Sequence, residues 1–69
     1  MNNDHLIVMA NQIGDFFKSY PDQEYAQKEI ATHLRKFWAP NMRNLIKEMV
    51  KKNTPELQDH VAEAIKKYL

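Results

Sequence analysis

Three histidines, His5, His33 and His60, are the side chains of this 69-residue chain best suited to metal binding or proton transfer. They fall in three different predicted helices. None has a carboxylate at a zinc-binding spacing, and the H-x-x-x-H pattern is absent. Surface or boundary positions are therefore the expectation for all three. Ser19 is the sole serine, and no base and orienting acid can be assigned to it. The only glycine, Gly14, lies inside a helical pattern, so there is no glycine-rich phosphate loop. With no cysteine, neither a disulfide framework nor a thiolate metal site is available. The reading is a chain with no catalytic, cofactor-binding or metal-ligating residues and no cofactor.

The size fits that reading. A folded chain of 8.2 kDa should expose roughly 4,500 Å² and bury about 60% of its extended surface. Few residues are then left to line a deep pocket. Hydrophobic residues make up 43% of the chain and charged residues 28%, which argues against a wholly disordered chain. No run of about 18 apolar residues and no signal-peptide core is present, so a cytoplasmic location and no membrane contact are expected.

One glycine and three prolines leave little material for β-turns. Apolar residues recur at helical spacing in four stretches, with no period-two alternation and no internal repeat. The first helix is expected over 4–20, carrying Leu6, Met9, Ala10, Ile13, Phe16, Phe17 and Tyr20 inward, with Asn3 or Asp4 as cap. Tyr20-Pro21-Asp22 ends it, and Asp22 caps a second helix over 23–37. Its apolar set is Tyr25, Ala26, Ile30, Leu34 and Phe37, with Trp38 as a further candidate. Pro40 opens a third over 40–52, with Met42, Leu45, Ile46, Met49 and Val50 inward. Thr54-Pro55 reads as N-cap and N1 of a fourth over 55–68, with Leu57, Val61, Ala64, Ile65 and Tyr68 inward. The expected fold is all-α: residues 1–69 as a single domain, a small orthogonal or irregular bundle of four short helices. Helices this short are marginal alone and must stabilise one another or a partner.

Three features suggest binding rather than catalysis. Gly14 costs about 1 kcal/mol relative to alanine in a helix interior. With Ala10 one turn earlier, it marks a strip where another backbone can approach closely. The aromatic doublets Phe16-Phe17 and Phe37-Trp38 are the second feature, because adjacent helical positions point about 100° apart and a thin bundle cannot easily bury both. The simple assignment puts the first ring of each in the core and packs the second on a neighbouring helix. The functional one makes ring surfaces the anchor of a protein interface, extended by Met42 and Arg43. Third, charge is unevenly spread. Residues 1–34 carry five acids and two bases, net −3; residues 35–52 carry six bases and one acid, net +5; residues 53–69 are net −1. Arg43, Lys47 and Lys51 form an i, i+4, i+8 row, a basic face that must meet solvent or an anionic partner.

Two of these segments resemble a known family. Met9-Ala10-Asn11-Gln12-Ile13 followed by Phe16-Phe17, and His33-Leu34-Arg35-Lys36-Phe37-Trp38-Ala39-Pro40-Asn41-Met42-Arg43, are similar to blocks of the delta subunit of NAD-dependent formate dehydrogenase. The likeness covers residues 4–50 well and the last helix more loosely; Asn41 departs from it, standing where the family often has arginine. The resemblance implies that catalysis lies elsewhere. A large molybdenum-containing alpha subunit oxidises formate to carbon dioxide, and iron–sulfur and flavin centres pass the electrons to NAD. The delta subunit would be a non-catalytic accessory that binds the alpha subunit and supports its assembly or cofactor maturation.

The combined expectation is an interface built from Ala10, Gly14, Phe17, Trp38, Met42 and Arg43, with the large molybdenum-containing catalytic subunit as partner. Weak self-association of the isolated chain is compatible with such a surface. The alternative is a small basic-faced nucleic-acid-binding helical protein. Nucleic acid is the less favoured partner, because no base-reading set lies along one helix.

Overall fold

Prolines, short polar side chains and one asparagine set where each helix starts and stops. The computed structural model describes residues 3–69; positions 1 and 2 of the expected domain lie outside these described residues. The described residues form four helices: α1 (Asn3–Phe17), α2 (Gln23–Phe37), α3 (Pro40–Lys51) and α4 (Asp59–Tyr68). Among the described residues there is no strand, so the fold is all-α.

The second and third helices start where their caps dictate. The Asp22 carboxylate accepts from the Tyr25 backbone N–H at 3.1 Å, satisfying one of the four unpaired donors of the first turn of α2. Pro40 occupies the start of α3, where its missing N–H costs nothing.

Two boundaries differ from expectation by more than one residue. α1 includes Asn3 and stops at Phe17 rather than Tyr20. Pro21 disfavours helical backbone at Tyr20, and the last residues close in tighter turns, with Tyr20 N–H bonded to Phe17 O at 3.2 Å. That turn stacks the Tyr20 ring on Tyr25, 5.8 Å between centroids.

The fourth helix begins at Asp59, four residues later than expected. Thr54 does not cap it, because Thr54 terminates α3. Asn53 takes a left-handed backbone with φ 55°, a conformation asparagine tolerates better than most residues. Asn53 N–H bonds to Val50 O at 3.0 Å and Thr54 N–H to Met49 O at 3.2 Å, the paired bonds of a Schellman motif. The Thr54 hydroxyl also donates backward to Met49 O, at 3.0 Å. A proline just past such a stop is common because it cannot continue the helix.

Between α3 and α4 the backbone is held by a side chain from α1. Asn11 donates from Nδ2 to Glu56 O at 2.9 Å, and its Oδ1 accepts from Gln58 N–H at 3.0 Å. One amide thus satisfies two backbone groups of a non-helical segment, with Leu57 between them buried in the core. Asn11→Ala removes both bonds and should cost about 1–2 kcal/mol. Asn11→Asp keeps the acceptor and should cost less; chemical denaturation of the two variants checks the order.

α4 is the hub. It packs most extensively on α2 and also touches α3 and α1. Three alanines on these two helices are buried, Ala26 and Ala31 on α2 and Ala64 on α4. The core joins Leu6 and Ile7 to Ile30, Leu34, Trp38, Ile46, Met49, Val50, Leu57, Val61 and Ile65. The chain exposes 4477 Å², close to the surface expected from its mass. Phe16, Tyr25, Phe37 and Leu45, expected inside, are instead exposed.

Candidate interaction groove

Residues from the C-terminal parts of α1 and α2 enclose an apolar groove of about 730 Å³. Met9, Gln12, Ile13, Phe16 and Phe17 come from α1, His33 and Phe37 from α2, and Trp38 from the elbow that follows. Both aromatic doublets therefore meet in one place.

Within each doublet the roles are the reverse of the simple assignment. The second ring is the inner one: Trp38 is only 6% exposed, and Phe17 packs against the core. The first ring faces solvent: Phe16 is 71% exposed and Phe37 is 72% exposed. The reason at the elbow is local. Trp38 has left the helix, with φ −94° and ψ 141°. Its side chain direction no longer follows the helical 100° step, and it turns into the core while Phe37 stays on the outer rim. Phe16 packs edge-on against Phe17 at 4.9 Å, and Phe37 lies 4.7 Å from the His33 ring. The exposed rings are thus held by neighbours before anything binds.

Other expected interface residues are placed elsewhere. Ala10 and Gly14 are buried within this chain, and Gly14 faces its own α4. A Cβ built on Gly14 would sit 2.3 Å from a Val61 methyl and 3.1 Å from His60 Nε2. The close approach that Gly14 permits is therefore internal. Met42 is half-buried against the core, and Arg43 lines a different, polar pocket. In the expected basic row, Arg43 and Lys47 line that pocket together, while Lys51 pairs with Glu48 at 3.5 Å. Phe16 and Phe37 line this groove and were not among the interface residues expected from the sequence. The signal for them was the doublets themselves, read with the helix ends in the right place.

Beside Gly14 runs a polar chain. Gln58 donates to Asp15 Oδ1 at 2.9 Å, and its Oε1 lies 2.6 Å from His60 Nε2. Burial lowers the His60 pKa from 6.5, the nearby Lys18 lowers it further, and Asp15 partly opposes both. The folded state therefore binds this proton less readily than the unfolded chain does. The stability this contributes is complete above the unfolded pKa near 6.5 and is lost as pH falls below it. Thermal midpoints measured from pH 8 to pH 5 should fall more for the wild type than for His60→Gln.

The groove can do little chemistry. Among the described residues, Gln12 and His33 are the only polar ones lining it, with no carboxylate, hydroxyl, thiol or amine. Among the described residues, no three His, Cys, Asp or Glu cluster to hold a metal ion. What such a surface does well is bury carbon. Covering two rings that are each about seven-tenths exposed is worth on the order of 2–4 kcal/mol.

Residues 5–65 match the family model of the NADH-dependent formate dehydrogenase delta subunit, FdsD. The chain belongs to that family. The match extends the resemblance of residues 4–50 through most of α4. No curated protein and no solved structure shows significant similarity to the chain. Membership of the formate dehydrogenase delta-subunit family implies a catalytic partner subunit. Among the described residues, no helix is long and apolar enough to cross a membrane.

Proposed function

We propose that this chain is a non-catalytic accessory subunit that binds the molybdenum-containing catalytic subunit of a formate dehydrogenase through the Phe16–Phe37 groove. The observation carrying the proposal is the pair of exposed phenylalanines flanking an apolar groove, in a chain of the delta-subunit family. Aromatic rings already fixed by neighbours lose little conformational freedom on binding and favour the centre of an interface. Phe17 and Trp38 form the inner part of the groove, and Phe16 and Phe37 enter the partner. Redox centres belong to the other subunits in this reading, and the chain acts in the cytoplasm on assembly or cofactor maturation of the catalytic subunit. Without that partner the same rings support weak self-association.

Co-expression with the catalytic subunit tests the proposal. The expected result is a stoichiometric complex, with formate oxidation by the catalytic subunit falling when the chain is omitted during expression. An isolated catalytic subunit that is fully active and never retains the chain would contradict it. Family membership disfavours the nucleic-acid reading, for which retention of duplex DNA at low salt would be required.

A further inference from the structure

The basic residues that the groove does not use gather on another part of the surface. Arg35, Pro40, Arg43, Asn44, Lys47 and Leu69 line a polar pocket of about 230 Å³. Next to it, Lys47, Lys51 and Lys66 rim a second hollow of about 300 Å³, together with Val50, Ile65 and Leu69. The two share Lys47 and Leu69, so they form one trough along α3 and the end of α4. It has no lining residue in common with the aromatic groove.

Its charge is largely uncompensated. Elsewhere, Lys28 pairs with Glu24 and Lys67 with Glu63, each within its own helix. Of the five cations lining the trough, only Lys51 has a carboxylate partner among the described residues. Arg35 donates to Tyr68 O instead, and the Nε of Arg43 is buried with no acceptor among the described residues. Arg43 and Lys47 lie one turn apart and repel each other. Among the described residues, no Asp or Glu lines either hollow.

We propose that this trough docks an acidic segment of the catalytic subunit, with carboxylates facing Arg35, Arg43, Lys47 and Lys66 and one apolar side chain resting on Val50 and Ile65. The inference rests on the proposed accessory role and adds a second contact to it. Charge complementarity selects an acidic occupant. The mixed lining selects a peptide over a nucleic acid, because phosphate backbones make no use of an apolar floor, and the trough offers no aromatic ring on which a base could stack.

The test measures binding of the full chain to the purified catalytic subunit at low and high salt. The double variant Lys47→Gln/Lys66→Gln is compared with the control Lys28→Gln, and thermal midpoints confirm folding. The expected result is about a tenfold or greater loss of affinity at low salt and a flatter salt dependence for the double variant, with the control unchanged. Equal affinity and equal salt dependence in a folded double variant would overturn the trough while leaving the accessory role standing. Failure of the wild type to bind at all would overturn the accessory role itself. A double variant that loses duplex DNA binding but keeps the catalytic subunit would overturn the peptide in favour of nucleic acid.

Discussion

Trp38→Ala is expected to unfold the chain, not merely to release a partner. Trp38 is 6% exposed and joins the core that links α1, α2 and α3 to the hub helix α4. Truncating a buried tryptophan costs about 3–5 kcal/mol. A chain of 69 residues at the usual marginal stability has roughly 3.5–10 kcal/mol in total, so the loss removes most or all of it. Trp38→Phe keeps a ring in place and should leave a folded protein with a lower midpoint. Circular dichroism melts of the two variants decide the matter. A Trp38→Ala protein melting within a few degrees of the wild type would show that the elbow does not depend on this ring.

Gly14→Val is the second large effect, and it runs against intrinsic helix propensity, since valine is the better helix former. Even one added carbon at position 14 falls 2.3 Å from a Val61 methyl. Val61 is fully buried, and a β-branched side chain in a helix has little rotamer freedom with which to move aside. Overpacking of this kind costs about 1–3 kcal/mol, and branched valine belongs at the upper end. Gly14→Ala should also destabilise, less severely, because its propensity gain of about 1 kcal/mol offsets part of the clash. For a domain this small each kcal/mol lowers the midpoint by about 4–8 °C. Adding Val61→Ala to Gly14→Val should recover part of the loss, a coupling that a double-mutant cycle measures. A stabilised Gly14→Ala would mean that α1 and α4 are further apart than described.

These two residues also show what was legible beforehand. Gly14 stood out as a close-approach point because a lone glycine in a helix demands a reason, but the element approaching it was α4 of the same chain. Sequence periodicity locates an apolar face without saying which helix covers it. Trp38 stood out as a large ring beside another. Its direction depended on where α2 ends, and one residue of extended backbone turned it inward and left Phe37 outside. The caps Asp22 and Pro40 were readable because their chemistry is local. Thr54-Pro55 misled because the same residues that can open a helix can also follow the close of one, and Asn53 in the left-handed region decided for the latter. The Asn11 clamp on Glu56 and Gln58 joins positions more than forty residues apart, a pairing no local pattern announces.

The central claim is that the exposed members of the doublets, not the buried ones, bind the catalytic subunit. Phe16→Ala/Phe37→Ala removes both rings from positions that are more than two-thirds exposed, so its thermal midpoint should stay near that of the wild type. Its affinity for the purified catalytic subunit should fall by roughly 30-fold or more, corresponding to a loss of at least about 2 kcal/mol. A folded double variant that binds as tightly as the wild type would contradict the account.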